Sequence, residues 1–146
     1  MTLEESKLHE LNRFAKKIRL NTLECLNHLG FGHYGGSLSV VEALAVLYGE
    51  IMPMTPDKFK ETDRDYFVLS KGHAGPALYS TLYLKGFFDK EFLFSLNTNG
   101  THLPSHPDRN LTPGVDMTTG SLGQGISVAT GIAYGQKVKN LSNYTY

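Results

Sequence analysis

The sequence predicts an α/β fold in which a parallel sheet is flanked by helices. In several segments apolar residues recur at three- and four-residue steps, which is the spacing of helices that cover a core. Between these segments lies a short apolar run, Tyr66 to Leu69, with the length and composition of a buried parallel strand. With 146 residues and 40% hydrophobic content, the chain is large enough for one domain with a single core.

Charge and composition exclude several classes of function. Fourteen basic and fourteen acidic side chains balance, so no overall field favours nucleic acid or an anionic membrane. No run approaches the roughly 18 apolar residues of a membrane span, and the charged N-terminus does not resemble a signal peptide. The single cysteine, Cys25, is expected to be a buried and inert thiol. These features predict a soluble protein of the reducing cytoplasm, without nucleic-acid or membrane partners.

The first predicted helix ends at Gly30. Its buried face is predicted at Leu8, Leu11, Ala15, Ile18, Thr22, Cys25 and Leu29. A capping box of Ser39 and Glu42 is expected to open a second helix that continues to about Tyr48. His33 then lies on the glycine-rich loop between the two helices. A loop histidine can be a solvated side chain, but the glycines around it favour close approach of another group to the backbone.

A second histidine follows the predicted strand directly. The strand Tyr66–Leu69 leads into the sequence SKGHAGP, which contains His73, and Pro76 begins the next helix, expected to end at Gly86. In open α/β sheets, ligands bind beyond the carboxyl ends of the strands, which makes His73 the best-placed histidine. A further short helix is expected at about Asp89–Leu96.

Residues 97–119 fit neither a helix nor a strand. Such a long irregular stretch inside a compact domain is usually functional, and its three prolines argue against simple disorder. It contains His102 and His106, but Pro104 between them disfavours a helical pair of metal ligands. No HExxH, CxxC or paired acidic ligand set occurs, so no metal ligand is predicted in the chain. The nucleophile-elbow pattern of serine hydrolases is also absent.

The stretch TTGSLGQGISVATG, residues 118–131, is rich in glycine. Its closely spaced glycines would let a ligand approach the backbone, and the free N–H groups of a following helix attract anions. That helix is predicted from about Leu122 to Lys139, with the buried residues Ile126, Val128, Ala129, Ile132 and Ala133. A glycine-rich turn before a packed helix is the simpler alternative. Together with the histidines, the stretch favours a site for an anionic, phosphorylated cofactor.

Four motifs together resemble the N-terminal, diphosphate-binding half of transketolase. They are GHYGGSLS at 32–39, DYFVLSKGHAGPALYS at 65–80, LPSHPD at 103–108 and GVDMTTGSLGQGIS at 114–127, in the order and spacing of the family. GGS after the first histidine, and SLGQG in place of PLGQG, resemble the split transketolases, in which this half is a separate subunit. The resemblance implies a thiamin diphosphate-binding fold, of which residues 1–146 are the N-terminal part; the final NYTY is expected to begin a further strand.

The resemblance also implies roles for individual residues. His33 matches a family histidine at the reacting oxygen of the substrate, and His106 matches one beside the C1 hydroxyl of the donor. The residues implied in cofactor binding are His73, Gly120, Ser121 and Leu122. His73 matches a histidine that hydrogen-bonds the diphosphate, and Gly120 and Leu122 match the pair that contacts the aminopyrimidine. Single-chain transketolases have proline at the position of Ser121 and often glycine at that of Ser105.

The implied reaction is the thiamin diphosphate-dependent transfer of a two-carbon ketol unit from a ketose phosphate to an aldose phosphate. Mg²⁺ is implied as well, with its ligands expected beyond Tyr146. The implied partner is the pyrimidine-binding, C-terminal half or subunit, in a dimer or heterotetramer, without which residues 1–146 are expected to be inactive. The alternatives are an enzyme like deoxyxylulose phosphate synthase and a truncated, non-catalytic domain. His102 has no counterpart in the family.

Overall fold

The computed structural model describes residues 4–146. Within them, the α-helices are α1 (Glu5–Leu29), α2 (Tyr34–Leu38), α3 (Val41–Val46), α4 (Gly75–Leu84), α5 (Lys90–Phe94) and α6 (Gln124–Val138). A π-helical turn, Leu47–Ile51, continues α3, and short 3₁₀ turns occupy Lys58–Lys60 and Gly72–Ala74. The irregular stretch predicted at 97–119 contains neither a helix nor a strand, as expected.

Helix α1 buries five of the seven residues predicted for its buried face, whereas Leu29 is only half-buried. Its buried residues are Leu11, Ala15, Ile18, Thr22, Cys25 and Leu26. Leu8, also expected on the buried face, is 50% exposed because it is only the fourth residue of α1 and lies ahead of the part of the helix that packs on the core. Gly30 closes the helix in the left-handed conformation, at φ 85°, and its N–H bonds the Leu26 carbonyl. Burial raises the pKa of the Cys25 thiol to about 11, as fits an inert side chain.

Helix α4 lies at the centre of the core. It packs against α1, α3, α2 and α5, and the side chains of Tyr79 and Leu82 are fully buried. Pro76 stands in its first turn, which confirms the predicted start of the helix. Because α4 follows the Gly72–Ala74 turn directly, the core fixes the position of His73.

The predicted capping box is wrong. Helix α3 begins after Val40 without a side-chain cap. The Ser39 hydroxyl instead donates to the Gly36 carbonyl at 3.0 Å, and Glu42 pairs with Arg19 of α1. A local carbonyl has therefore taken the Ser39 hydroxyl, and a residue of α1 has taken the Glu42 carboxylate, away from the helix terminus that the local pattern assigned to them.

The two segments predicted as strands pair only briefly. Tyr66 and Thr145 form a parallel bridge, and the Val68 N–H donates to the Tyr146 carbonyl at 2.9 Å. Within residues 4–146 this pairing is too short to form a regular strand, so the predicted parallel sheet is not confirmed. The direction of the pairing is the one that a parallel sheet requires.

Helix α6 is present, but its predicted buried face is wrong. Only Gly125 and Gln136 are buried, whereas Ile126 is 67% exposed and Ala133 is also exposed. Val128, Ala129 and Ile132 are half-buried. The physical reason is that α6 packs little against the other described helices, so its apolar residues have no surface to cover them. None of the helices in residues 4–146 has the length and apolarity needed to cross a bilayer.

Candidate functional site

Three of the predicted site residues converge although they are far apart in sequence. His33 directly precedes α2, His73 lies in the turn before α4, and His106 lies in the irregular stretch. The ring centroid of His33 is 5.3 Å from that of His73 and 5.8 Å from that of His106. The fold therefore gathers three imidazoles into one cluster, which we call the histidine cluster.

Glycines allow the loops of this cluster to pack against one another. A Cβ atom at Gly36 would lie 2.5 Å from Cδ2 of His73. A Cβ atom at Gly72 would lie 2.8 Å from the backbone nitrogen of Gly120. Both distances are shorter than any ordinary carbon contact, so only glycine fits at Gly36 and Gly72 without movement of a neighbour. Gly120 itself lies beside His106, since its Cβ would be 3.8 Å from Cδ2 of that ring.

The predicted cofactor-binding residues of the glycine-rich stretch lie at the surface next to the cluster. Gly120, Ser121 and Leu122 are all exposed, and Leu122 is 71% exposed. Helix α6 begins directly after Gly123, which adopts a left-handed conformation at φ 85°. The free N–H groups at the start of α6 therefore lie on the same stretch as Gly120.

The segment of residues 103–108 joins the glycine-rich stretch through hydrogen bonds. The Thr119 N–H donates to the Pro107 carbonyl at 3.0 Å, and the Thr118 hydroxyl donates to Asp108 at 3.3 Å. On the other side, the Asn97 amide donates to the Ser105 hydroxyl. The family often has glycine at this position, and the serine hydroxyl present here has a hydrogen-bond partner in Asn97. His102 is exposed, and only its carbonyl takes part in this network, by accepting from Thr112.

The electrostatics of the cluster favour a neutral His73. Partial burial lowers the pKa of this imidazole, and the nearby Lys71, His33 and His106 lower it further. Lys71 is oriented by its hydrogen bond to the Ser39 hydroxyl, at 2.6 Å. A neutral imidazole offers one N–H donor and one acceptor. An anion placed beside these side chains would gain from the Lys71 charge and from hydrogen-bond donors.

Metal binding has no support from side-chain clusters in the described residues. Between residues 4 and 146, no three His, Cys, Asp or Glu side chains lie together so that they could hold a metal ion. What the described cluster can offer a ligand is imidazole nitrogens, a lysine charge, exposed backbone at Gly120 and an exposed apolar side chain at Leu122.

Sequence reasoning overlooked several residues that build the site. It predicted a close approach to the glycines around His33 but assigned no particular contact to Gly36 or Gly72; for Gly72, its position directly before His73 was the available signal. It also missed a buried ion pair in which Arg64 donates to Asp116 at 2.6 Å. No local pattern joins two charges that are 52 residues apart.

Comparison with known proteins identifies the family of the chain. A family model described as "Transketolase, thiamine diphosphate binding domain" matches residues 11–145. The 6-deoxy-6-sulfo-D-fructose transketolase subunit SqwG of a Clostridium species is 52% identical over 94% of this chain and 50% of its own length. One subunit of the apulose-4-phosphate transketolase of Phocaeicola vulgatus is 42% identical over 90% of this chain and 47% of its own. The chain thus spans about half the length of these relatives.

Solved structures show the same fold. Transketolase from Leishmania mexicana superposes with a TM-score of 0.86 at 31% identity, over 93% of this chain and 22% of that protein. A transketolase from Pichia stipitis, in complex with sedoheptulose 7-phosphate, gives a TM-score of 0.83 at 32% identity, over 93% of this chain and 21% of its own. By sequence and by structure, the chain belongs to the transketolase family, within its thiamine diphosphate-binding domain.

Proposed function

We propose that this chain is the N-terminal, thiamin diphosphate-binding part of a transketolase that transfers a two-carbon ketol unit between sugar phosphates. The observation that supports this most is the histidine cluster beside Gly120, inside a domain of this family. The cofactor, when bound, supplies the carbanion chemistry of ketol transfer. The residues of this chain would bind it, orient it and handle protons around it.

His73 is the residue that we propose for the diphosphate. Its imidazole is held neutral by partial burial and by the positive side chain of Lys71, which leaves one N–H free to donate to a phosphate oxygen. The close contact with Gly36 limits where the ring can go. A fixed donor loses little entropy on binding, which favours affinity.

Gly120, Ser121 and Leu122 are proposed to contact the aromatic part of the cofactor. Gly120 presents exposed backbone beside His106, and the exposed Leu122 offers an apolar surface on which a ring could pack. Residues that bind in this way need free surface, and all three have it. Together, His73 would take the charged diphosphate of the cofactor, and the surface at Gly120 and Leu122 would take its aromatic part.

His33 and His106 are proposed as the catalytic residues. Their ring centroids are 5.8 Å apart, so an oxygen lying between the two imidazoles could exchange a proton with either one. His33 is exposed and His106 half-buried, so both can reach a substrate. We assign His33 to the reacting oxygen and His106 to the hydroxyl on the donor's C1.

The rest of the enzyme is proposed from the family. The relatives are about twice as long as this chain, and two of them are named as subunits. We therefore propose a pyrimidine-binding, C-terminal partner half or subunit in a dimer or heterotetramer, and Mg²⁺ held by residues beyond Tyr146. The Tyr66 and Thr145 segments would become neighbouring strands of a parallel sheet. The proposed location is the cytoplasm.

Two alternatives remain to be separated by experiment. An enzyme like deoxyxylulose phosphate synthase would use pyruvate as donor, whereas a transketolase would use xylulose 5-phosphate. A non-catalytic domain would use neither. Since the relatives are named for 6-deoxy-6-sulfo-D-fructose and apulose 4-phosphate, both compounds belong in the donor panel. The complete enzyme, formed from the full-length polypeptide and any partner it needs, should transfer a ketol unit from one of the sugar donors and leave pyruvate unused.

Substitution of the histidines tests the assigned roles. In the complete enzyme, His73→Ala should raise the thiamin diphosphate concentration needed for half activity by about 10- to 150-fold, the loss expected for one charge-assisted hydrogen bond. His33→Ala should lower turnover and leave that concentration nearly unchanged. His102→Ala is the matched control, because His102 is exposed and outside the histidine cluster. The opposite pattern in the first two variants would show that the roles are exchanged, and no effect of either His73→Ala or His33→Ala would favour a non-catalytic domain.

A further inference from the structure

Tyr79 connects the core to the segment that presents His106. Its side chain is fully buried in α4, and its hydroxyl donates a hydrogen bond to the Pro104 carbonyl at 2.8 Å. Burial raises the pKa of the Tyr79 phenol, so the hydroxyl keeps its proton and acts as a donor. The contact therefore joins the central, largely buried helix α4 to a residue two positions before His106.

The segment around His106 depends on such contacts because it has no regular structure. Helices and strands fix their residues by repeated backbone hydrogen bonds, and residues 97–119 contain neither element. Two further contacts act on Ser105, which precedes His106. The Asn97 amide donates to its hydroxyl, and a Cβ at Gly75 would lie 2.7 Å from its carbonyl oxygen. Of these three contacts, the hydrogen bond from Tyr79 is the one made by a fully buried side chain.

Tyr79 also belongs to the same rigid unit as His73. The Gly72–Ala74 turn, which contains His73, runs straight into α4, and Tyr79 lies near the middle of that helix. A single helix thus places His73 through the backbone and restrains His106 through the Tyr79 hydroxyl. Movement of the backbone at Pro104 away from α4 would stretch or break this bond.

We propose that Tyr79 is a positioning residue for His106, acting through its hydrogen bond to the Pro104 carbonyl. Tyr79 lies in the core and is not assigned to the substrate or the cofactor; it sets where the His106 imidazole stands relative to His33 and His73. The inference rests on the proposed function in one respect, which is that His106 acts on the substrate.

The test is Tyr79→Phe in the complete enzyme, because this change removes the hydroxyl and keeps the ring. Tyr48→Phe is the matched control, since Tyr48 is another buried phenol and packs edge-on against Phe67. Two measurements are needed. NMR of histidine-labelled enzyme reports the environment of the His106 ring, and steady-state kinetics is compared in the wild-type and His106→Ala backgrounds.

Tyr79→Phe should shift the ring signals of His106 and lower turnover by about three- to tenfold, the loss expected for one buried hydrogen bond. The thiamin diphosphate concentration needed for half activity should stay within about twofold of the wild-type value. In the His106→Ala background, Tyr79→Phe should cause no further loss of turnover. Tyr48→Phe should leave the His106 signals in place. Unchanged His106 signals, or an equal loss of turnover in both backgrounds, would overturn the proposal.

The same experiment separates this inference from the proposed function. An enzyme without ketol transfer on any sugar donor would refute the function, but the His106 signals would still show whether Tyr79 sets the position of that ring. A shifted His106 ring in an enzyme whose turnover does not depend on His106 would confirm the positioning and refute the catalytic role of His106.

Discussion

Close packing at single residues decides where the imidazoles of the site can stand. Gly36 is the clearest case, because a Cβ there would lie 2.5 Å from Cδ2 and 3.0 Å from Nε2 of His73. Its neighbour Gly35 lies in the same short helix and has nothing within 4 Å of the equivalent position. Alanine at Gly36 would therefore contact His73, whereas alanine at Gly35 would contact nothing, which makes the second substitution a control for the first.

Gly36→Ala should displace the His73 ring and weaken thiamin diphosphate binding by about tenfold, roughly the effect of one lost hydrogen bond. Its effect on stability should be small, because a side chain can swing away where a backbone cannot and because alanine favours a helix over glycine by up to about 1 kcal/mol. Gly35→Ala should leave binding unchanged. Calorimetric titration of the two variants with thiamin diphosphate checks this, and equal affinities would contradict the placement of His73 at the diphosphate.

At the scale of elements, one buried ion pair ties two distant segments of the chain together. Arg64 donates to Asp116 at 2.6 Å, and the second oxygen of Asp116 accepts from the Phe67 N–H at 2.9 Å. The guanidinium also lies over the rings of Phe59 and Tyr66. The segment that leads to His73 is thereby fixed to the segment that leads to Gly120.

Asp116→Asn should destabilise the protein by about 3 to 5 kcal/mol, because asparagine offers one acceptor oxygen in place of two and leaves the Arg64 charge buried without its partner. Glu24→Gln is the control, since the Lys90–Glu24 pair, at 3.1 Å, is largely exposed. Breaking it should cost less than about 1 kcal/mol. Urea unfolding of both variants measures the difference, and similar losses would show that the buried pair contributes no more than a surface contact.

The elements also show what the sequence could predict. Helices α1 and α4 were predictable because their own periodicity, glycine and proline signals agree with the packing around them. The capping box failed because Glu42 pairs with Arg19, and that partner lies 23 residues away. The histidines could be named from their motifs, but their 5.3 and 5.8 Å ring separations depend on the whole fold. Gly36 and Tyr79 escaped notice because their role exists only through contacts between distant segments.

At the scale of the whole molecule, helix α6 presents an apolar surface that no other part of the described residues 4–146 covers. Single exposed apolar side chains are normal, but α6 and the turn before it expose four large ones: Leu122, Ile126, Tyr134 and Val138. Such a group of apolar side chains usually marks a surface that something else covers. The relatives are about twice as long as this chain, so the remaining length or a partner subunit could supply the cover. The failed burial prediction for Ile126 has the same explanation.

Tyr134→Lys tests whether α6 is covered in the complete enzyme. Tyr134 is 69% exposed in the described residues, and Leu20 of α1 is 56% exposed, so Leu20→Lys is the matched control. If the rest of the enzyme buries α6, Tyr134→Lys should destabilise the complete enzyme by at least about 1.5 to 3 kcal/mol, the worth of one large buried apolar side chain. Leu20→Lys should cost less than about 0.5 kcal/mol, as surface substitutions usually do. Thermal unfolding of the two variants decides the matter, because equally small losses would mean that α6 stays exposed in the working enzyme.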